Sequence, residues 1–465
     1  MTKSEIKLTL ERMAEQVRAA APCGEGASLD AYTSLVRHSE IDGVDFEIWT
    51  DALQKALDEN AVVRIPAREK AYYIDAPVLI GGGRRIDAHG ACLLVVPHCR
   101  ALLMRNKNVV DGSNHAEDIS VSPDRGIVIE GGVWGESNEK RLGYGRTGAL
   151  DFDNSMPGVT TCLLFSNVED LYLRDMEFVH TAGFAVQIGN CRRAAVQDVH
   201  FTSCFADGVH LNGNIWDVLV KNISGNVGDD LVALNPYDWD NSGINFGPAE
   251  RVYIDGVFSD ADARYKAIRL QPGVYLYPDG GSSDCRIDDL YLRRVTGIKS
   301  YKLYLQTISY KDEPEHPALV GSCGNMYFDD LDIDLDSQID AGLYEGVRYT
   351  EGYNIFGAFE VLADVENMEL ENINLTLHLD EYPETCLVSV GPKSMTGGGL
   401  MEVFDPYASC RVKHIGFKNI TVNGVHTTDP RKLIRVIKMK FNPDFPNTFP
   451  RGGEGEGRVD SVTIK

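Results

Sequence analysis

Two short stretches, "ADGVHLN" at 206–212 and "DDLVALN" at 229–235, each set aspartate ahead of an alternating apolar and polar run. Asp207 precedes Asp230 by 23 residues, and Asp229 adjoins Asp230. Brought side by side, three carboxylates repel one another when ionised, so at least one holds its proton to a higher pH than usual. A carboxylic acid beside ionised carboxylates is what cleavage of a glycosidic bond requires: a proton for the leaving oxygen and a base for water. Taken singly, each aspartate has a plainer reading, because Asp favours tight turns. Asp198 and Asp329 suggest the same preference elsewhere in the chain.

Bringing these carboxylates together needs a chain that returns to the same place about every 23 residues. A recurring line supplies it: apolar, any, apolar, any, often Asp or Asn, then apolar. It reads "LYLRDM" at 171–176, "AAVQDV" at 194–199, "VLVKNI" at 218–223, "VYIDGV" at 252–257 and "LYLRRV" at 290–295. It continues as "MYFDDL" at 326–331, "MELENI" at 368–373 and "IGFKNI" at 415–420, with an early relative, "IVIEGGVWG", at 127–135. Period-two alternation marks a strand with one buried face. Short strands repeating at this interval, with little helix between them, predict one coil of a parallel β-helix per repeat, an all-β fold. The longer later intervals then hold loops inserted at the turns. An antiparallel sandwich would instead show hairpin signals between adjacent strands, and few repeats are joined that way. Residues 45–465 are expected to form the β-helix. Residues 1–44 are expected to form a helical cap over the open end of its core. Within the cap, Thr2 and Glu5 have capping-box spacing, and Leu10, Met13 and Val17 share one helical face.

Stacking the coils places "FAVQI", "DGVHL" and "DLVAL" in register. Val186, Val209 and Val232 then point inward, as do Ile188, Leu211 and Leu234. Gln187, His210 and Ala233 point outward, with Asn212 and Asn235 beyond them. The same face continues through "YKAIRLQP", presenting Arg269 and Gln271, and "YKLYLQT", presenting Tyr304 and Gln306. Gln187, His210, Asn235, Arg269, Gln271 and Tyr304 are therefore the expected substrate-binding floor around the three acids.

Composition narrows the partners. The formal charge of −24 argues against nucleic acid, whose phosphates need clustered Lys and Arg, and against an anionic membrane surface. No run is long and apolar enough to span a bilayer, and no signal-peptide apolar core opens the sequence. The ten cysteines show no CxxC pair or zinc spacing. Reduced thiols in a cytoplasmic protein are the expectation. Neither metal nor cofactor is expected. "DDLDIDLD" at 329–336 reads either as a calcium site or, from its alternating Leu and Ile, as a half-exposed strand. Tyr275 and Tyr277 either stack on sugar or pack.

With these residues assembled, the sequence resembles the polygalacturonase-like family, family 28 of the glycoside hydrolases. "GDD" is Gly228-Asp229-Asp230, "FAD" ends in Asp207, "RLQ" begins at Arg269, and Tyr304 fits that family's sugar-contacting tyrosine. "GGGRRIDAHG" at 81–90 and "IVIEGGVWG" look like its early coils, so the likeness runs from about residue 45 onward. The resemblance implies that the β-helix is right-handed and of the pectin-lyase-like kind, that Asp229 is the general acid, that Asp207 and Asp230 activate water, and that cleavage inverts the anomeric centre. Two departures stand out. The family's Gly-His-Gly is absent, and the insert "NPYDWDNSGINFGP" at 235–248 follows instead. Gln271 replaces the family's carboxylate-pairing Lys, leaving Arg269, with Lys266 or Lys302 to assist, to bind any uronate. His210 is either a substitute imidazole or an ordinary surface histidine. An oligosaccharide hydrolase is the leading reading. A β-helix lyase or epimerase, or a carbohydrate-binding β-helix without chemistry, are the alternatives.

Overall fold

The computed structural model describes residues 1–99, 101–110, 121–137, 161–238, 243–260, 268–277, 280–298, 303–306, 320–334, 357–377, 385–391, 409–440 and 454–465. The chain winds into a right-handed parallel β-helix whose strands pair in parallel from one coil to the next. One stack runs from residues 161–166 through 184–189 to Val209–Asn212, Val232–Asn235, Ile268–Leu270, Leu303–Gln306, Gly357–Leu362 and Cys386–Val390. The recurring line of the sequence forms a second stack, and the residues just after it a third.

The register expected from sequence is the register observed. Val186 pairs with Val209 and Val209 with Val232, while Ile188, Leu211 and Leu234 align in the same way. All six lie in one continuous core. The Asp or Asn of the recurring line also has a physical basis. Gly131, Asp175, Asp198, Asn222, Gly256, Arg294, Asp330, Asn372 and Asn419 occupy that position, and every one has φ between 50° and 85°. The chain turns the corner from the second stack into the third in the left-handed region, where Gly, Asn and Asp are the least strained residues. Arg294 departs from this rule, and its guanidinium is anchored to Asp255 and to Asn222 Oδ1. Side chains at this corner form part of a ladder, with Asn222 Nδ2 donating to Asp198 Oδ1 at 2.8 Å and Asn419 Nδ2 to Asn372 Oδ1 at 2.7 Å.

The N-terminal helix α1 (Lys3–Ala20) begins with the expected capping box between Thr2 and Glu5. It buries Ile6, Leu10, Met13, Ala14 and Val17. It does not close the end of the core. It lies along the flank, over a single outward column of the second stack: Val128, Tyr172, Ala195, Leu219, Tyr253 and Tyr291. The dimensions explain the fit: 18 residues at about 1.5 Å per residue match six strands spaced about 4.8 Å apart. Closure of the end falls to helix α2 (Thr50–Glu59) and the 3-10 turn Leu29–Leu35, whose Leu29, Ala52, Leu53, Ala56 and Leu57 join the main core. Parallel pairing also starts before residue 45, between Ala27–Ser28 and Val63–Arg64. The described part of "DDLDIDLD" is a strand that buries Leu331 and Ile333 and exposes Asp330.

Candidate active site

The three aspartates sit at the turns that lead into strands Val209–Asn212 and Val232–Asn235. Consecutive coils approach closely here. A Cβ on Gly228 would lie 2.3 Å from the carbonyl oxygen of Phe205, so only glycine fits ahead of the Asp229-Asp230 pair. The backbone N–H of Gly208 donates to the carbonyl of Asp230, and the N–H of Asp230 donates to Asp207 Oδ1, both at 2.9 Å. Asp207 therefore lies over Asp230 as the repeat requires, and one oxygen from each of Asp207, Asp229 and Asp230 lies within 4.8 Å of the other two.

The three carboxylates differ sharply in surroundings. Asp207 is 1% exposed, and its Oδ2 lies 2.6 Å from His210 Nδ1. Burial alone would raise its pKa, but the His210 hydrogen bond and charge, Arg269 and the Asp230 N–H together hold it below the ordinary carboxylate value. Asp230 is equally buried, and neither of its oxygens accepts a hydrogen bond. Arg269 Nε comes within 3.0 Å of its Oδ2 without the alignment of a hydrogen bond. Burial, with the charges of Asp229 and Asp207, raises its pKa well above the ordinary value despite Arg269. Asp229 is the accessible member, with its side chain 26% exposed and its Oδ1 accepting from Arg269 Nη2 at 3.1 Å. Arg269 pairs in register with Ala233 on one side and Tyr304 on the other. The Tyr304 side chain and Lys266 and Lys302 lie outside the described residues.

An open polar floor was the expectation for this whole face. It holds for Asp229 and Arg269. Gln187, His210, Asn235 and Gln271 are instead closed off from solvent. The insert that stands where Gly-His-Gly was sought folds over them. Asp238 Oδ2 lies 2.7 Å from His210 Nε2 and accepts from Asn212 Nδ2 at 3.1 Å. Asn212 Oδ1 accepts from the Ile244 N–H at 3.0 Å and from Gln187 Nε2 at 2.7 Å. Ile244 packs on Leu102 and Leu164, and Asn245 Oδ1 accepts from Ser166 Oγ at 2.7 Å. Gln271 Nε2 donates to the carbonyl of Tyr237 at 2.8 Å. Both side-chain amide atoms of buried Asn235 lack a hydrogen bond. Tyr275 stacks on Phe246 at 3.9 Å between centroids, and Tyr277 meets Tyr275 edge-on at 5.0 Å, so both pack.

His210 is thus no surface histidine. Its ring is buried, stacked on Phe184 at 3.9 Å, and flanked by a carboxylate at each nitrogen. Burial opposes its charge, but the two carboxylates prevail and raise its pKa to about 9. Asp238 was missed from sequence. An insert rich in turn formers and containing both Asp238 and Asp240 gave no signal to single it out. One oxygen of each carboxylate could face a cation here, and the Arg269 guanidinium already stands beside two of them, Asp229 and Asp230.

No protein-family model and no curated protein matches the chain. Among solved structures it is similar to a hyperthermoactive exopolygalacturonase from Thermotoga maritima, at 10% identity over 90% of this chain and 97% of that one, TM-score 0.48. It is also similar to a family 28 exopolygalacturonase from Yersinia enterocolitica, at 12% identity over 95% and 78% of the two chains, TM-score 0.43. A third is PfbA, a surface adhesin of Streptococcus pneumoniae, at 10% identity over 95% and 93%, TM-score 0.39. Likeness this distant carries no information on chemistry. Among the described residues no helix is long and apolar enough to cross a membrane.

Proposed function

We propose that the chain is a glycoside hydrolase that cleaves oligosaccharides, polygalacturonase-like in its use of aspartates and inverting as the resemblance implies. One observation carries the reading: three adjacent carboxylates are held in three different surroundings, with Asp207 buried against His210, Asp230 buried without a hydrogen bond, and Asp229 at the surface against Arg269. Different environments for like acids are how one site runs acid and base chemistry together.

Asp229 is the member that reaches a bound sugar. In the resting site the trio's proton belongs to Asp230. When substrate binds, the proton passes from Asp230 to its neighbour Asp229. Asp229 then protonates the leaving oxygen as the glycosidic C–O bond breaks. Water forms the new C–O bond at the anomeric carbon and gives its proton to Asp230, aided by the fixed negative charge of Asp207. The cycle ends with the proton back on Asp230, so atoms and charge balance. Arg269 supplies the planar fork suited to a carboxylate, which favours uronate-containing oligosaccharides.

The test is a panel of plant and microbial oligosaccharides, neutral and acidic, with products read by mass spectrometry and the new anomer by NMR. Shortened, saturated products that depend on Asp229 support the reading. Unsaturated products would make the chain a lyase. The closed positions of Asp207 and Asp230 favour a second reading, a binding module without turnover. Sugar retention that survives Asp229→Asn, with no product formed, would establish it.

A further inference from the structure

We propose that Asp238 and His210 are positioning residues for the carboxylate trio: the insert at 235–248 delivers a buried carboxylate that holds His210 as an imidazolium, His210 fixes the negative charge on Asp207, and the trio's one proton is thereby confined to Asp230 in the resting protein.

The hydrogen bonds carry this. A neutral imidazole has one N–H and one lone pair, and a lone pair facing a carboxylate oxygen at 2.6 or 2.7 Å would be repelled. Both ring nitrogens of His210 must therefore donate, or one of the flanking acids must carry a proton. Each acid is marked as an acceptor by a further donor: the Asp230 N–H to Asp207 Oδ1 and Asn212 Nδ2 to Asp238 Oδ2. The charge that satisfies all four contacts is a cationic ring between two anionic carboxylates. Phe184, stacked face to face at 13° between planes, fixes the plane of the ring and shields it from water.

Asn212 Nδ2 also lies 3.2 Å from Nε2, a longer contact than the 2.7 Å to Asp238, and its hydrogens have acceptors in Asp238 Oδ2 and the Asn235 carbonyl. The coil before it presents Gln187 and the coil after it Ala233, both uncharged. Arg269, from strand Ile268–Leu270, attracts Asp207 but stands against Asp229 and Asp230. Of the three acids, Asp207 has a buried cationic donor and a backbone N–H, and Asp229 has an aligned guanidinium. Asp230 has no hydrogen-bond donor. A buried carboxyl in that position keeps its proton. The catalytic meaning of the arrangement rests on the hydrolase reading; the charge assignment does not.

The experiment uses the intact chain with ¹⁵N-labelled histidine. In the wild type, both ring nitrogens of His210, assigned with His210→Gln, should remain protonated at pH 8, well above the midpoint of an ordinary histidine. Asp238→Asn keeps an oxygen for the Nε2–H but removes the charge, and should lower the His210 midpoint by more than one pH unit. Asp238→Glu should restore most of it. Infrared difference spectra at pH 7 should show a protonated-carboxyl band that Asp230→Asn removes and Asp229→Asn leaves in place. A neutral His210 in the wild type at pH 8 would overturn the proposal, whether or not Asp238→Asn folds. So would a midpoint unchanged by Asp238→Asn, or a band indifferent to Asp230→Asn. If instead these signals appear and no oligosaccharide is cleaved, the hydrolase reading fails and the charge relay stands.

Discussion

Two outward faces of the same β-helix are covered in opposite ways. On the flank, α1 lies over Val128, Tyr172, Ala195, Leu219, Tyr253 and Tyr291, and the buried contact is carbon against carbon. Charge enters beside it in pairs, Arg18 with buried Glu130 and Lys221 with Glu11, and the Tyr253 hydroxyl donates to buried Asp255. On the acid face, the insert lies over Gln187, His210 and Asn212, and the buried contact is a chain of charged hydrogen bonds. The first cover is stabilised by apolar area removed from water, at about 25 cal/mol per Å². The second removes ionised groups from water, and only mutual pairing offsets that cost. A fold that needed only a lid had the cheaper solution available in the flank. Charge kept inside the other lid points to chemistry beneath it.

The comparison can be broken in order of effect. The largest is on turnover. Asp229→Asn should lower kcat by roughly 10²–10⁴-fold, the usual contribution of a proton-transfer group, with the melting temperature little changed because the side chain is partly exposed. Activity within a few-fold of wild type would remove Asp229 from the chemistry.

Next comes the apolar cover. Leu10→Ala in α1 deletes a fully buried side chain and should cost about 2–5 kcal/mol in denaturant unfolding, while any turnover by the folded protein stays unchanged. A loss below about 1 kcal/mol would mean that α1 is only loosely docked.

The charged cover should instead answer to pH. His210 is raised from 6.5 to about 9, so its contribution is complete below pH 6.5 and is lost as pH rises through about 9. Asp230, also raised, acts in the same direction, losing its contribution as pH climbs above the ordinary carboxylate range. Asp207, lowered, contributes above that range and loses its share only in acid. Unfolding free energy should therefore fall by on the order of 2–4 kcal/mol between pH 6.5 and 9. Leu10→Ala should show the same slope and His210→Gln a much flatter one. Equal slopes in all three would show that the buried charges do not govern stability.

Arg269→Lys keeps the charge and loses the fork. On a uronate oligosaccharide it should weaken kcat/KM by about 1.5–3 kcal/mol, and on a matched neutral one by less. Equal losses would sink the carboxylate-reading role. The smallest effect belongs to the margins of α1: Lys3→Ala removes contacts to Glu371 and Asp329 near the surface and should change stability by less than about 1 kcal/mol.

What the sequence by itself determined is everything that depends on direction along the chain. Alternation settled which residues face the core, because successive side chains on a pleated strand must point opposite ways. Asp175, Asp198, Asn222, Asn372 and Asn419 announced the corners, because few residues tolerate a left-handed turn. The 23-residue return placed Asp207 over Asp230, and Val186, Val209 and Val232 in one column. What lies on top of an outward face is a different matter. Alternation marks Tyr253 and His210 alike as pointing out, yet both are buried, one by a helix more than 200 residues away in the chain and the other by an insert 28 residues on. Only the tertiary structure decided that α1 runs along the flank while α2 closes the end. It also decided that Asp238 reaches His210 as a partner. Direction is a local property of the backbone, whereas cover depends on where loops and termini come to rest, and no period in the sequence encodes that.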